Sequence, residues 1–235
     1  MPGPLAGCGE VELPEAVVRH AVRVLRLSDG DPVVLFDGRG GEAEAVLSRR
    51  DGQWCARLES FAAINRESML ECVLVQALAS GDKMDWVIQK AVELGVNAIV
   101  PLRAERSVVK LSDHRAAKRL AHWRQVVVAA CEQCGRNHVP AVSAPQSLSR
   151  YLETSSADVL RWYFDPVADR PLSGLARPAL PVHVCVGPEA GWSQRELAAL
   201  RDARCEAVRL GPRVLRTETA GIAALSAMQA LWGDF

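Results

Sequence analysis

From residue 70 onward the chain alternates short apolar runs with longer stretches of helical periodicity, and no other feature narrows its fold as much. Residues 70–78 read as an apolar strand. Ser80-Gly81-Asp82 then opens a helix in which Met84, Val87, Ile88, Ala91 and Leu94 recur three or four apart, and Gly95 ends it. Residues 98–100 are the next strand, closed by Pro101, and 113–133 a long helix. Residues 158–164 and 182–186 follow as strands, the latter apolar enough to be buried. Ser193-Gln194-Arg195-Glu196 is a capping box for another helix. Residues 208–210 are the last strand and 217–232 the last helix. Such alternation builds an α/β fold: a mostly parallel sheet with helices on both faces, holding ligands at the carboxyl ends of its strands.

The first third has a different rhythm. Residues 14–27 predict a short helix with Val17, Val18, Ala21, Val22 and Leu25 on one face and Arg19, Arg23 and Arg26 on another. Strands are expected at 33–36, 42–47 and 54–58, joined by Asp37-Gly38-Arg39-Gly40-Gly41 and by Arg50-Asp51-Gly52-Gln53. This is a small β-rich unit that ends in the polar stretch 65–68. The expected division is residues 1–67 and 68–235.

Composition excludes several classes. No apolar run approaches a membrane span, and the opening Met1-Pro2-Gly3-Pro4 lacks a signal-peptide pattern, so a cytoplasmic protein is expected. Seven scattered cysteines fit reduced thiols better than a disulfide framework. Cys131 and Cys134 form a lone C-x-x-C late in a helical stretch, without the second ligand pair that zinc requires, and no metal site is expected. The 28 basic and 28 acidic side chains cancel, although residues 71–140 carry 10 basic against 7 acidic. Charge permits a nucleic-acid partner without requiring one.

Two loops carry the chemistry. Val186-Gly187-Pro188-Glu189-Ala190-Gly191 follows one strand; Leu210-Gly211-Pro212-Arg213-Val214-Leu215-Arg216-Thr217-Glu218-Thr219-Ala220 follows another. Neither is a dinucleotide fingerprint or a P-loop. Proline makes each turn rigid, and glycine lets the backbone approach a flat ligand. Core packing alone rarely asks for Arg213, Arg216 and Glu218 at one helix entrance, so a small-molecule pocket beside a polyanion surface is expected.

These two loops, with K-M-D-W-V-I-Q-K-A-V-E-L-G-V (83–96), A-A-C-E-Q-C-G-R-N (129–137), H-A-V-R-V-L-R-L (20–27) and the F-D-G hairpin (36–38), closely resemble the bacterial 16S ribosomal RNA uracil-N3 methyltransferases of the small subunit methyltransferase E type. The resemblance runs from about residue 15 to the end. It implies a SPOUT-class enzyme with a PUA-like RNA-binding barrel, a C-terminal domain ending in a deep trefoil knot, and a homodimer holding S-adenosyl-L-methionine in the knot. Its substrate would be 16S rRNA, free or in the assembled small subunit. By the same resemblance Gly187, Glu189, Gly191, Leu210, Gly211, Val214 and Leu215 form the cofactor pocket, and the loop after residue 164 contributes less.

Methyl transfer to uracil N3 must dispose of the N3 proton, so a base or a cation beside the carbonyl oxygens is expected. Arg216 is the candidate for oxyanion stabilisation or phosphate positioning, and Glu218 for the base or for orienting Arg216. Arg19, Arg23, Arg26, Arg103, Arg106, Lys110, Arg136 and Arg213 are candidates for RNA contacts across the dimer. A non-catalytic RNA-binding assembly factor and a SPOUT enzyme acting on another RNA position are the alternatives. Two departures from the family pattern stand out. Ala190 replaces a glycine, which requires negative φ there, and residues 1–9 lack the expected basic-aromatic opening strand, leaving open whether the barrel is complete or starts differently.

Overall fold

Alternation of small apolar and polar side chains builds the first sheet, as described by a computed structural model covering Met1, Leu5 and residues 9–235. Strands β1 (Gly9–Glu12), β2 (Pro32–Leu35), β3 (Glu42–Arg50) and β4 (Gln53–Ala62) pair antiparallel in the order β1-β4-β3-β2. On β3 every second residue, Ala43, Ala45 and Leu47, is buried. Asp51 and Gly52, both at positive φ, close the β3–β4 hairpin over the Arg50–Gln53 pair. Gly9 to Glu12 pair with β4, so a strand does open the described part of this unit; residues 2–4 and 6–8 lie outside the described residues.

The expected regular helix over 14–27 is corrected. Helix α1 (Glu15–Val18) passes into π-helical turns over Arg19–Val24, and Arg26 at φ 59° ends the segment. The wider turn rotates the apolar stripe: Ala21 is buried, but Leu25 faces solvent at 56% exposure beside Val24. Arg19, Arg23 and Arg26 are all exposed.

Gly135–Val139 belongs to this first unit with Met1–Glu67. The Gly40 amide donates to the Asn137 carbonyl at 3.2 Å and Val139 N–H to that of Gly38 at 3.0 Å. The Asn137 amide donates to the Ile64 carbonyl at 2.8 Å. Arg136, only 5% exposed, is ion-paired with Glu67. Arg136, expected among the RNA contacts, thus lies in a buried ion pair.

The second unit, Ser68–Cys134 with Pro140–Phe235, is a six-stranded parallel sheet. Its strands are β5 (Cys72–Ala77), β6 (Ala98–Leu102), β7 (Ala141–Val142), β8 (Leu160–Phe164), β9 (Val182–Val186) and β10 (Glu206–Val208), in the order β10-β8-β9-β5-β6-β7. The expectation that Pro101 closes a strand is corrected, since β6 runs through it. The Pro101 carbonyl faces the β7 side, where β7 has already ended, so no ladder bond is lost to the missing N–H.

Helices α2 (Lys83–Glu93), α3 (Asp113–Cys134) and α6 (Thr217–Trp232) pack together, with α6 on β5 and β9. Helices α4 (Leu148–Thr154) and α5 (Gln194–Asp202) cover the other face, where Leu148, Tyr151 and Leu200 meet Val75, Tyr163 and Cys185. The alternating residues of β5, Leu74 and Gln76, face Gly221 of α6. Strands buried on both faces explain the near-continuous apolar runs of β5 and β9. The α5 capping box forms as expected: Ser193 Oγ accepts from Glu196 N at 3.0 Å and the Glu196 carboxylate accepts from Ser193 N at 2.9 Å.

Candidate active site

Three strand ends of the second unit meet at one cleft. The loops following β8, β9 and β10 line a cavity of about 660 Å³ with Phe164, Asp165, Gly187, Glu189, Leu210 and Val214 among its walls. The volume lies in the range of small-molecule sites. All seven residues expected to form a cofactor pocket, Gly187, Glu189, Gly191, Leu210, Gly211, Val214 and Leu215, line it. Arg213, Arg216 and Glu218 do so as well. Ala190 is not among the positive-φ residues; Gly191 takes the left-handed turn at φ 72° instead, so the G-P-E-A-G loop accommodates its alanine.

A buried polar chain fixes the cleft floor. Gln76, fully buried, donates from Nε2 to Thr217 Oγ1 at 3.0 Å, and Thr217 Oγ1 donates to the Gly187 carbonyl at 2.6 Å. The first turn of α6 and the loop after β9 are thereby tied to the central strand. Gly187 packs edge-on against Trp192, whose ring atoms would lie 3.0 Å from an added Cβ. The Glu196 carboxylate of the capping box also accepts from Glu105 N at 2.9 Å, which fixes the loop after β6 beside the cleft. Arg106 on that loop reaches the Ala190 carbonyl at 3.4 Å.

Glu218 is paired with a residue that the sequence did not single out. Lys83 Nζ lies 3.0 Å from Glu218 Oε1, with the carboxylate side chain only 12% exposed. Burial raises the Glu218 pKa, but its own backbone N–H, Lys83 and Arg216 outweigh that and leave the carboxyl below its ordinary value. The other oxygen, Oε2, is shielded from solvent and, among the described residues, has no hydrogen-bond partner; the same holds for Trp192 Nε1. Arg103, expected among the RNA contacts, pairs with Asp113 at 3.1 Å and lines a different hollow, while Lys110 is exposed.

Lys83, Gln76 and Thr217 are the functional positions that sequence reasoning missed. Each left a signal: Lys83 opens the 83–96 motif, Thr217 lies in the second loop, and Gln76 is a lone amide within an otherwise apolar strand. Among the described residues no group of three or more His, Cys, Asp or Glu is placed to hold a metal, and the described cysteines are free thiols. Among the described residues no helix is long and apolar enough to cross a membrane.

The small antiparallel unit and the parallel-sheet unit with its strand-end cleft each match a known family. A family model described as an RNA methyltransferase domain matches residues 66–229, and one described as an RNA methyltransferase PUA domain matches residues 13–53. The ribosomal RNA small subunit methyltransferase E of Bacillus subtilis is 34% identical over 227 residues, covering 90% of this chain and 86% of its own. A crystal structure of the Neisseria gonorrhoeae ribosomal RNA small subunit methyltransferase E bound to S-adenosyl methionine superposes with a TM-score of 0.92 at 39% identity, covering 100% of this chain and 97% of that one. A methyltransferase from Legionella pneumophila with bound SAM superposes with a TM-score of 0.93 at 36% identity, over the same shares of each chain. The chain belongs to the ribosomal RNA small subunit methyltransferase E family.

Proposed function

We propose that this protein is an S-adenosylmethionine-dependent methyltransferase acting on N3 of a uridine in 16S rRNA of the small ribosomal subunit. The observation that carries the reading is the cleft: three strand-end loops in a chain whose solved relatives bind S-adenosylmethionine. The residues present suit that group. Leu210, Val214 and Leu215 offer aliphatic walls, the two Gly-Pro loops offer close backbone, and Asp165 and Glu189 offer carboxylates for its cationic centres. The unpartnered Trp192 Nε1 is a donor in the same wall.

When bound, S-adenosylmethionine supplies an electrophilic methyl group on a sulfonium. The chain's own contribution is position and charge. Gln76 and Thr217 hold the Gly187 loop, and Arg216, exposed at the α6 entrance, is placed to fix a phosphate or a developing oxyanion. Arg106 and Arg213, both exposed at the cleft, extend that positive rim in the second unit. Arg19, Arg23 and Arg26 are the corresponding cations of the first unit, and Lys110 is a further exposed one.

The same reading assigns residues 1–67 to RNA binding and 68–235 to methyl transfer. It takes the working form as a cytoplasmic homodimer that meets the small subunit or its RNA. A knot in the C-terminal segment is part of it, resting on the family resemblance; the packing of α6 on the central strands β5 and β9 after the edge strand β10 is compatible with it. Titration calorimetry tests the cofactor assignment. Saturable S-adenosylmethionine binding that is weakened by Gly187→Val is expected; no heat from the parent protein would favour a non-catalytic assembly factor.

A further inference from the structure

Glu218 sits in the cleft as a carboxylate already committed. One oxygen is held by Lys83 Nζ at 3.0 Å, and the other is closed to solvent with no partner among the described residues. Such a group is badly placed to collect a substrate proton, because the free oxygen cannot be approached and the engaged one belongs to an ammonium. Lys83 is better placed. It opens α2, lines the cleft, and keeps 37% of its side chain exposed. An ammonium has three donors, and Glu218 uses one of them. Besides this pair, the charged side chains around the cleft are Arg106, Arg213, Arg216, Asp165 and Glu189.

We propose that Lys83 is a catalytic residue that donates to the carbonyl oxygen next to the methylated ring nitrogen, and that Glu218 is its positioning residue. The inference rests on the uracil-N3 reading above. In the reaction the N3–H bond breaks and its proton passes to solvent water. The electron pair left on nitrogen forms the N–CH3 bond, and the S–CH3 bond breaks with its pair remaining on sulfur. Before the methyl group arrives, the ring carries a negative charge shared with its two carbonyl oxygens. A fixed ammonium beside one of them favours that anion and lets the N–H ionise at lower pH than it would in water. Glu218 keeps the ammonium charged and aimed, which also explains why a carboxylate is buried at the cleft wall.

The test compares the parent with Lys83→Met, Lys83→Arg and Glu218→Gln on small-subunit RNA, naked and assembled, with S-adenosylmethionine affinity measured alongside. Lys83→Met is expected to keep cofactor affinity and lose kcat on the order of a hundredfold, the usual cost of one oxyanion donor. Its rate should keep rising with pH beyond the point where the parent levels off. Lys83→Arg should recover part of the rate, and Glu218→Gln should lose less than Lys83→Met without a change in KM. Equal rates and equal pH profiles for the parent and Lys83→Met would overturn the inference while leaving the function intact. Glu218→Gln falling below Lys83→Met would overturn it in favour of a carboxylate base. Loss of cofactor affinity in both lysine variants would overturn it in favour of cofactor binding. A parent that binds S-adenosylmethionine yet leaves uridine N3 unmodified in both RNA forms would overturn the functional reading together with this one.

Discussion

Gly221 is a residue whose helix propensity and whose packing pull in opposite directions. In the interior of α6 an alanine would gain about 1 kcal/mol of intrinsic helix propensity. The added Cβ, however, would lie 2.8 Å from Gln76 Oε1 and 3.2 Å from Leu74 Cδ1, both in the packed face of β5. Overpacking of that kind costs about 1–3 kcal/mol, so Gly221→Ala is expected to lower stability on balance, read as an earlier urea midpoint; a later midpoint would refute the packing argument. Thr217→Val removes the hydroxyl between Gln76 and Gly187 and leaves a buried amide and a half-buried carbonyl without it, at a cost of about 1–3 kcal/mol. Weaker S-adenosylmethionine binding should accompany that loss, because the Gly187 loop is what the hydroxyl holds.

His183 provides a test in pH. Burial, with Arg161 adding to it, pushes its pKa down from 6.5 to about 4, and Tyr151 Oη lies 2.7 Å from Nδ1. The native state therefore keeps the ring neutral where the unfolded chain would already protonate it. Its contribution is complete above pH 6.5 and is lost as pH falls toward about 4. Stability of the parent should decline over that window, and His183→Gln should flatten the decline. An unchanged slope in the variant would show that other groups carry it.

At the scale of elements, α5 is held by its reciprocal capping box. Ser193→Ala removes the acceptor for Glu196 N and should cost about 1 kcal/mol. Glu196→Ala should cost more, since that carboxylate also accepts from Ser193 N and from Glu105 N beyond its own helix. Equal costs in thermal melts would contradict this double role. The same comparison explains what was legible beforehand. The capping box, the strand Val182–Val186 and the helix Thr217–Trp232 stand where local signals put them, because caps and apolar periodicity act within a few residues. Pro101 and the π turns of Arg19–Val24 were misread because their outcome depends on neighbours distant in sequence: a strand that stops short, and a core that accepts Ala21 but not Leu25. The cleft followed the same division. Its Gly-Pro loops were legible as motifs, whereas Lys83 meeting Glu218 and Gln76 meeting Thr217 are contacts that only the folded sheet creates.

At the scale of the whole molecule, the first unit supplies exposed arginines on the helical segment beside its small antiparallel sheet, and the second supplies the cleft. Gly135–Val139 returns to the first unit between α3 and β7, and its Arg136 is a structural partner of Glu67. The homodimer proposed here predicts a sedimenting mass of twice 25.5 kDa; a monomer at working concentration would remove dimerisation from the account. Methylation of uridine N3 in small-subunit RNA from S-adenosylmethionine is read by nucleoside mass spectrometry of that RNA after incubation with the purified protein. 3-Methyluridine should form with the parent protein and fade with Lys83→Met. RNA whose uridines gain no N3 methyl group, naked or assembled, would contradict it.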